Sequence, residues 1–174
     1  MAAKQIVFFF SLPQNQSESL VIRMLTELLP STYTVIANFE ITQKGGTPQE
    51  YDGVVIAPHA VYVIEIKGYA GRIRGDDHQW EVRGKPYPAP LSTTNQKARV
   101  LKSVIERKLS GISLWVEPLI ILSDDRVELD LRGSVKDYTV RLVDAAEVLR
   151  DRTRLTHPAE LRNYREQIVL AIRE

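Results

Sequence analysis

The stretch "YDGVVIAPHAVYVIEIKGY", residues 51–69, contains two apolar runs separated by a short Pro-His-Ala segment. Apolar runs of this length on either side of a turn predict a β-hairpin. The second run is apolar at successive positions, which indicates a strand buried on both faces. It nevertheless ends in Glu65 and Lys67, and Asp52 precedes the first run. Charged side chains are rarely buried unless they are paired, so these three need an explanation.

The pairing of the two strands decides whether these charges meet. With the turn centred near His59 and Ala60, antiparallel pairing would set Asp52 opposite Lys67 and diagonal to Glu65, within about 5–8 Å. Glu65 and Lys67 are two residues apart and therefore share a face of the strand. We expect the three ionisable groups to converge at one end of the hairpin.

Two carboxylates and one ammonium group leave a negative charge without compensation in a poorly solvated place. Such a site favours either protonation of a carboxylate or binding of a cation. Oxygen ligands with open positions suit Mg²⁺ or Mn²⁺. The alternative is a structural ion pair between Glu65 and Lys67, with Asp52 as a turn residue before Gly53.

Length and composition exclude several other classes of protein. The 174 residues suit one domain, and the absence of cysteine excludes disulfides, thiolate nucleophiles and cysteine-ligated zinc. The apolar run "IVFFF" at residues 6–10 is too short for a signal-peptide core or a membrane span. We expect a cytoplasmic protein without a membrane partner.

Positive charge is concentrated directly after the hairpin. Residues 67–108 contain ten Lys and Arg against four Asp and Glu, whereas the whole chain has a net charge of only +1. This asymmetry indicates either a polyanionic partner or a solvated surface.

The remaining patterns predict an α/β fold with a mixed central β-sheet flanked by helices. Helices are expected from Ser17 (as N-cap) to Pro30, from Ser92 to Leu109, after Asp144, and over residues 158–174. Further strands are expected in "QIVFFF" (5–10), "YTVIANFEI" (33–41), a second hairpin around Asp76–His78, "LWVEPLIIL" (114–122) and "YTVRLV" (138–143). Residues 85–92 and 124–137 are expected to be connections without regular structure.

An Asp, a hairpin spacer and then Glu-x-Lys resemble the core motif of the PD-(D/E)xK nuclease superfamily. "EYDGVVIAPHAVYVIEIKGYAGRI", with Trp80 and "PLSTTNQKARVLKSVI" after it, resembles more closely the nuclease-related domain, NERD. The resemblance covers roughly residues 17–122. The chain departs from it where Tyr51 stands before Asp52 instead of proline, and where residues 91–95 replace an Asn-Pro pair.

The resemblance implies a role for each matched residue. Asp52, Glu65 and the backbone carbonyl of Ile66 would hold Mg²⁺ or Mn²⁺. Lys67 would orient the attacking water and offset the charge of the phosphate. Two further residues would complete the catalytic site, Glu18 on the first helix and Gln96 on the second. For Glu18 the alternative is an interaction with the helix dipole, and for Gln96 it is a solvated surface position.

Basic residues in the positively charged segment are candidates for binding a nucleic-acid backbone. They are Arg72, Arg74, Lys97, Arg99 and Lys102. We therefore expect residues 1–174 to form a single NERD-like domain, with a core at about 17–122, that hydrolyses phosphodiester bonds in DNA. Two alternatives remain: a catalytically weak nucleic-acid-binding module that targets a fused kinase or helicase, and a purely structural interaction domain. The resemblance also leaves open that the chain is the N-terminal piece of a longer multidomain protein.

Overall fold

The computed structural model describes residues 6–9 and 15–173. Within them the α-helices are α1 (Gln16–Leu28), α2 (Leu91–Lys108), α3 (Leu142–Arg150) and α4 (Arg165–Arg173). The β-strands are β1 (Ile6–Phe9), β2 (Thr34–Ile41), β3 (Gln49–Ile56), β4 (Val61–Lys67), β5 (Arg72–Gly75), β6 (Gln79–Val82), β7 (Lys85–Pro88), β8 (Val116–Leu122), β9 (Glu128–Leu131) and β10 (Thr139–Arg141). The ends of the predicted first strand, Gln5 and Phe10, lie outside the described residues.

Six strands form a mixed central sheet in the order β1-β2-β3-β4-β8-β10. Strands β2, β3 and β4 are antiparallel neighbours, whereas β4 runs parallel to β8. Helices α1 and α3 pack on one face of this sheet and α2 and α4 on the other, each through a cluster of buried aliphatic side chains. The predicted fold class, a mixed sheet flanked by helices, is confirmed.

The β3–β4 hairpin turns one residue earlier than predicted. Its pairs include Gly53 with Ile64 and Ile56 with Val61, and the backbone N–H of Ala57 donates to the carbonyl of Ala60 at 2.9 Å. The turn is therefore centred on residues 58 and 59. Extending this register sets Asp52 opposite Glu65, so the predicted pairing with Lys67 is wrong by two residues.

A second sheet was not predicted. It has four strands in the order β7-β6-β5-β9 and packs its buried residues, including Trp80, against Ile120 and Leu122 of β8. Strand β7 lies in the proline-rich segment and β9 lies in the segment 124–137, both of which were expected to lack regular structure.

Pro118 lies inside β8, where proline is normally excluded because it cannot donate to a neighbouring strand. Strand β10 pairs only with residues 120–122 of β8, so at Pro118 the strand has β4 on one side and no β10 partner on the other. The proline therefore occupies an edge position locally.

Three helix boundaries also differ from those predicted. Helix α1 is capped by Asn15, whose side-chain oxygen accepts the N–H of Glu18, and not by Ser17. Helix α3 begins before Asp144, which lies in its first turn. The final helix begins only at Arg165, after a short 3-10 turn. Over the described ranges, no helix has both the length and the apolar character needed to cross a membrane.

Candidate active site

The alternation of side chains breaks in β2 and β3 at the same level of the sheet. Ile36 and Phe39 pack in the same buried cluster although they are three residues apart, and so do Tyr51 and Val54. A regular strand would place residues two apart on one face. The break falls at Asn38, which has a left-handed backbone with φ of 51°, and the register sets Asn38 opposite Asp52. Asparagine is one of the few residues that adopts this conformation readily.

At the break, Asp52 is not among the register pairs that β3 makes with β2 or with β4. The β3–β4 pairing ends at Gly53, and the residues on either side of Asp52, but not Asp52 itself, pair with β2. The Asp52 carboxylate instead accepts the backbone N–H of Ile66 through Oδ2 at 2.8 Å. The N–H and C=O of one residue point to the same side of an extended strand, so the carbonyl of Ile66 is directed toward this same gap.

Glu65 lies between two lysines. Its Oε2 is 3.0 Å from Nζ of Lys97 on α2, and its Oε1 is 3.7 Å from Nζ of Lys67 on the same strand. The Glu65 side chain is only 12% exposed, the Lys97 side chain 16% and the Lys67 side chain 30%. The ammonium group of Lys67 is therefore more accessible to solvent and to a substrate than that of Lys97.

The N-terminus of α1 brings Glu18 to this end of the sheet. Glu18 is buried, and its Oε1 accepts a hydrogen bond from Nδ2 of Asn15 at 3.2 Å. The helix lies close to Gly68, where a Cβ would lie 2.5 Å from Oγ of Ser17. Glu18 thus has a structural partner and also lies within electrostatic range of Asp52.

The environment raises the pKa of Asp52 to about 7. Burial is the largest cause, and the negative charge of Glu65 comes next. The hydrogen bond from the Ile66 amide lowers the pKa, Glu18 raises it further, and Lys97 lowers it. Near neutral pH the carboxyl group of Asp52 is therefore divided between its protonated and ionised forms.

These residues suit a hard divalent cation. Burial and neighbouring carboxylates raise the pKa of Asp52, which is the condition that a bound cation relieves. Within residues 6–9 and 15–173, no group of three or more His, Cys, Asp or Glu side chains lies close enough to hold a metal ion. Mg²⁺ typically binds through only one or two carboxylates and keeps waters or phosphate oxygens as its other ligands. The pair Asp52 and Glu65 meets that requirement.

The other predicted site residues fall into two groups. Gln96 and Arg99 are exposed on α2, where each lies within two residues of Lys97 along the chain. Arg72 and Arg74 are exposed on one face of β5, and both pair with Asp130 of β9, at 3.4 and 3.5 Å.

Lys102 and Lys97 differ from one another although both lie on α2. Lys102 pairs with Glu106 at 3.9 Å, and its Nζ is 5.6 Å from the centre of the Trp115 ring. Lys97 was expected on a surface phosphate track but lies inside the carboxylate cluster. The sequence carried a signal for this position, because Lys97 precedes the buried Leu101 by four residues and Val104 by seven, which places it on the apolar stripe of the helix.

The fold and the Asp52, Glu65 and Lys67 arrangement define an α/β domain of the PD-(D/E)xK-like class. The chain belongs to the nuclease-related domain family, NERD, whose model matches residues 13–123.

Two relatives are similar over more than half of the chain. An uncharacterized protein of Bacillus anthracis is 30% identical over 103 residues, which are 56% of this chain and 49% of the relative. A probable kinase, PglW, of Streptomyces coelicolor is 28% identical over 116 residues, 62% of this chain and 7% of the kinase. The aligned parts thus span about half of the first relative and a small fraction of the second. No solved structure matches the chain.

Proposed function

We propose that this domain hydrolyses phosphodiester bonds in DNA with the help of Mg²⁺ or Mn²⁺. The observation that carries the proposal is the convergence of Asp52, Glu65 and Lys67 where the β3–β4 ladder ends. Membership of the NERD family supports a nuclease-related function in general.

Asp52, Glu65 and the carbonyl of Ile66 would hold the ion. When bound, the ion would polarise the scissile phosphate and stabilise the negative charge that develops on it. Water adds to phosphorus, the bond from phosphorus to one ester oxygen breaks, and a proton from the water ends on the leaving oxygen. The Nζ group of Lys67, the more exposed of the two lysines on Glu65, orients the water and donates to a phosphate oxygen.

Two other residues would support this chemistry from the helices. Glu18 adds negative charge near Asp52, which would strengthen the attraction of the cluster for the ion. Gln96, exposed on α2 next to Lys97 in the sequence, would donate its amide N–H to the substrate.

Cleavage of supercoiled plasmid tests the proposal. The full chain is incubated with plasmid in Mg²⁺, in Mn²⁺ and in EDTA, alongside Lys67→Met and, as a matched control, Lys136→Met, which removes an exposed ammonium group elsewhere. We expect cleavage by the wild type and by Lys136→Met in either ion, and none in EDTA or by Lys67→Met. Absence of wild-type cleavage with both ions would overturn the hydrolase assignment.

A second candidate function is a DNA-binding module that places a fused partner domain on DNA without cutting it. The exposed Arg72 and Arg74 and the excess of positive charge in residues 67–108 favour this candidate. So does the relative described as a probable kinase, of which the matching part is 7%. Salt-dependent binding of the full chain to a short duplex, without cleavage in any divalent ion, would favour this second function over the first.

A further inference from the structure

Lys97 contacts Glu65, one of the two carboxylates proposed to hold the ion. Its Nζ lies 3.0 Å from Oε2 of Glu65, closer than the 3.7 Å between Lys67 and the same carboxylate. It is also the less exposed of the two ammonium groups, at 16% against 30%. Lys97 is therefore the closer and the less exposed of the two ammonium partners of Glu65.

The backbone of Lys97 is fixed independently of this ion pair. The hydroxyl group of the buried Tyr51 donates to the carbonyl of Lys97 at 2.8 Å, and the Tyr51 ring centre lies 5.9 Å from Nζ. These contacts tie the helix turn to β3. The long aliphatic stem of a lysine leaves its terminal ammonium group free to change partners while the turn stays in place.

We propose that Lys97 is an exchangeable counter-ion: it neutralises Glu65 in the metal-free protein, releases it when a divalent cation binds, and then binds a phosphate group of the DNA backbone. The inference rests on the proposed function, since it assumes an ion held by Asp52 and Glu65.

Repulsion between like charges is the physical reason for the exchange. A Mg²⁺ ion binds carboxylate oxygens at about 2.0–2.1 Å, so it would lie next to an ammonium group that contacts the same carboxylate. The ion is fixed by several ligands, whereas the ammonium group is carried by a flexible chain, and the ammonium group is the one that moves. An incoming phosphate gives it a new anionic partner beside the cluster.

The exchange couples the binding of metal to the binding of DNA. A phosphate that accepts the displaced ammonium group lowers the cost of displacing it, so DNA should raise the affinity for the metal. By linkage, the metal should raise the affinity for DNA by the same factor. A lysine with a purely structural role would produce no such coupling.

Mn²⁺ titration by calorimetry, without DNA, tests the first half of the proposal. We compare the full wild-type chain with Lys97→Met, Lys97→Arg and Arg107→Met, the last of which removes one exposed positive charge from the same helix. We expect Lys97→Met to bind Mn²⁺ at least about fivefold more tightly than the wild type. Lys97→Arg keeps the counter-ion and should match the wild type, as should Arg107→Met. If Lys97→Met does not fold, Lys97→Gln removes the charge and keeps a polar group in the same place.

A second titration adds a short phosphorothioate duplex, which resists hydrolysis. The duplex should tighten Mn²⁺ binding by the wild type and have a smaller effect on Lys97→Met. Equal or weaker Mn²⁺ binding by both charge-removing variants would overturn the proposal, and so would an equal effect of the duplex on the two proteins.

The two proposals can fail separately. A wild type that binds Mn²⁺ but never cleaves plasmid overturns the hydrolase assignment, while tighter binding by Lys97→Met still supports the exchange. A wild type that cleaves, with unchanged Mn²⁺ affinity in Lys97→Met, overturns the exchange and leaves the hydrolase assignment intact.

Discussion

Polar groups are buried at both ends of the β3–β4 hairpin, but their neighbours differ between the two ends. At the turn, Nε2 of His59 lies 3.0 Å from the hydroxyl oxygen of Tyr62, and Glu117 of β8 is the register partner of Tyr62. At the open end, Asp52 and Glu65 lie with Glu18 and two lysines.

Both ends contain a carboxyl group with a raised pKa, for different reasons. Burial raises the pKa of Glu117, while Arg154 and a hydrogen bond from Trp115 lower it. Burial also raises the pKa of Asp52, but there two further carboxylates add to the effect. Burial alone therefore does not distinguish a functional carboxylate from a structural one. A cluster of carboxylates, whose mutual repulsion one bound cation would relieve, is a more specific sign of a functional site.

The largest expected difference between the two ends is in catalysis. We expect Asp52→Asn to lower the rate of plasmid cleavage in Mg²⁺ by about 10³-fold or more, because it removes an ionisable ligand of the ion. Glu117→Gln, the same chemical change at the turn end, should leave the rate within about threefold. Single-turnover nicking rates measure both. Equal losses of cleavage rate in Asp52→Asn and Glu117→Gln would contradict a catalytic role for the open end alone.

The next expected effect is on stability as a function of pH. The folded protein holds the proton of Asp52 more tightly than the unfolded chain does, because the folded pKa is raised to about 7. The stability that this proton contributes is present below the ordinary pKa of an aspartic acid and is lost as the pH rises through 7.

Urea unfolding in EDTA, at a series of pH values, measures this loss. From about pH 4 to pH 8, the free energy of unfolding of the wild type should fall relative to that of Asp52→Asn by on the order of 2–4 kcal/mol. At about pH 8, millimolar Mg²⁺ should restore stability to the wild type and to Glu117→Gln, but not to Asp52→Asn. Parallel pH curves for the wild type and Asp52→Asn would contradict the raised pKa.

A smaller effect is expected on DNA binding. Reversing Arg72 and Arg74 to Glu, on the strand that follows the open end along the chain, should weaken binding of a short duplex about tenfold and reduce the dependence of affinity on salt. Reversing Arg150 and Arg152, exposed near the turn, should change affinity far less. Fluorescence anisotropy at several salt concentrations measures both. If reversing Arg150 and Arg152 caused the larger loss of affinity, the DNA-binding face would lie at the turn end of the hairpin.

The smallest effect is expected at Asp130, which pairs with both Arg72 and Arg74. Because this exposed carboxylate competes with phosphate for the two arginines, Asp130→Asn should tighten DNA binding about two- to threefold at low salt. The same anisotropy titrations detect this change. Weaker binding would mean that Asp130 orients the arginines for DNA instead of competing with it.

The convergence of charges could be predicted because it depends on local sequence. Glu65 and Lys67 share a strand, and the hairpin brings Asp52 to the same end whether the turn is centred one residue earlier or later. The register was predicted one residue too late, although proline is favoured at the first central position of a turn and therefore favours Pro58 and His59 over His59 and Ala60. The break at Asn38 also escaped prediction, because it appears only when two strands are paired.

Elements that depend on distant partners were the hardest to predict. Strand β9 is four residues of alternating acidic and apolar character, and it forms by parallel pairing with β5. The segment before α4 has a helical pattern but is not helical at Ala159 and Leu161, whose N–H groups donate to the carbonyls of His59 and Pro58, each at 2.8 Å. Tertiary hydrogen bonds there override the local preference for a helix.

The hydrogen bond between Ile66 and Asp52 also provides a spectroscopic reporter inside the cluster. The Ile66 amide donates to a side-chain oxygen whose charge changes when a proton leaves or a cation arrives. Its resonance in a nitrogen–proton correlation spectrum should therefore shift with both events. One backbone nucleus, in unmodified protein, then follows the state of the carboxylate without any measurement of turnover.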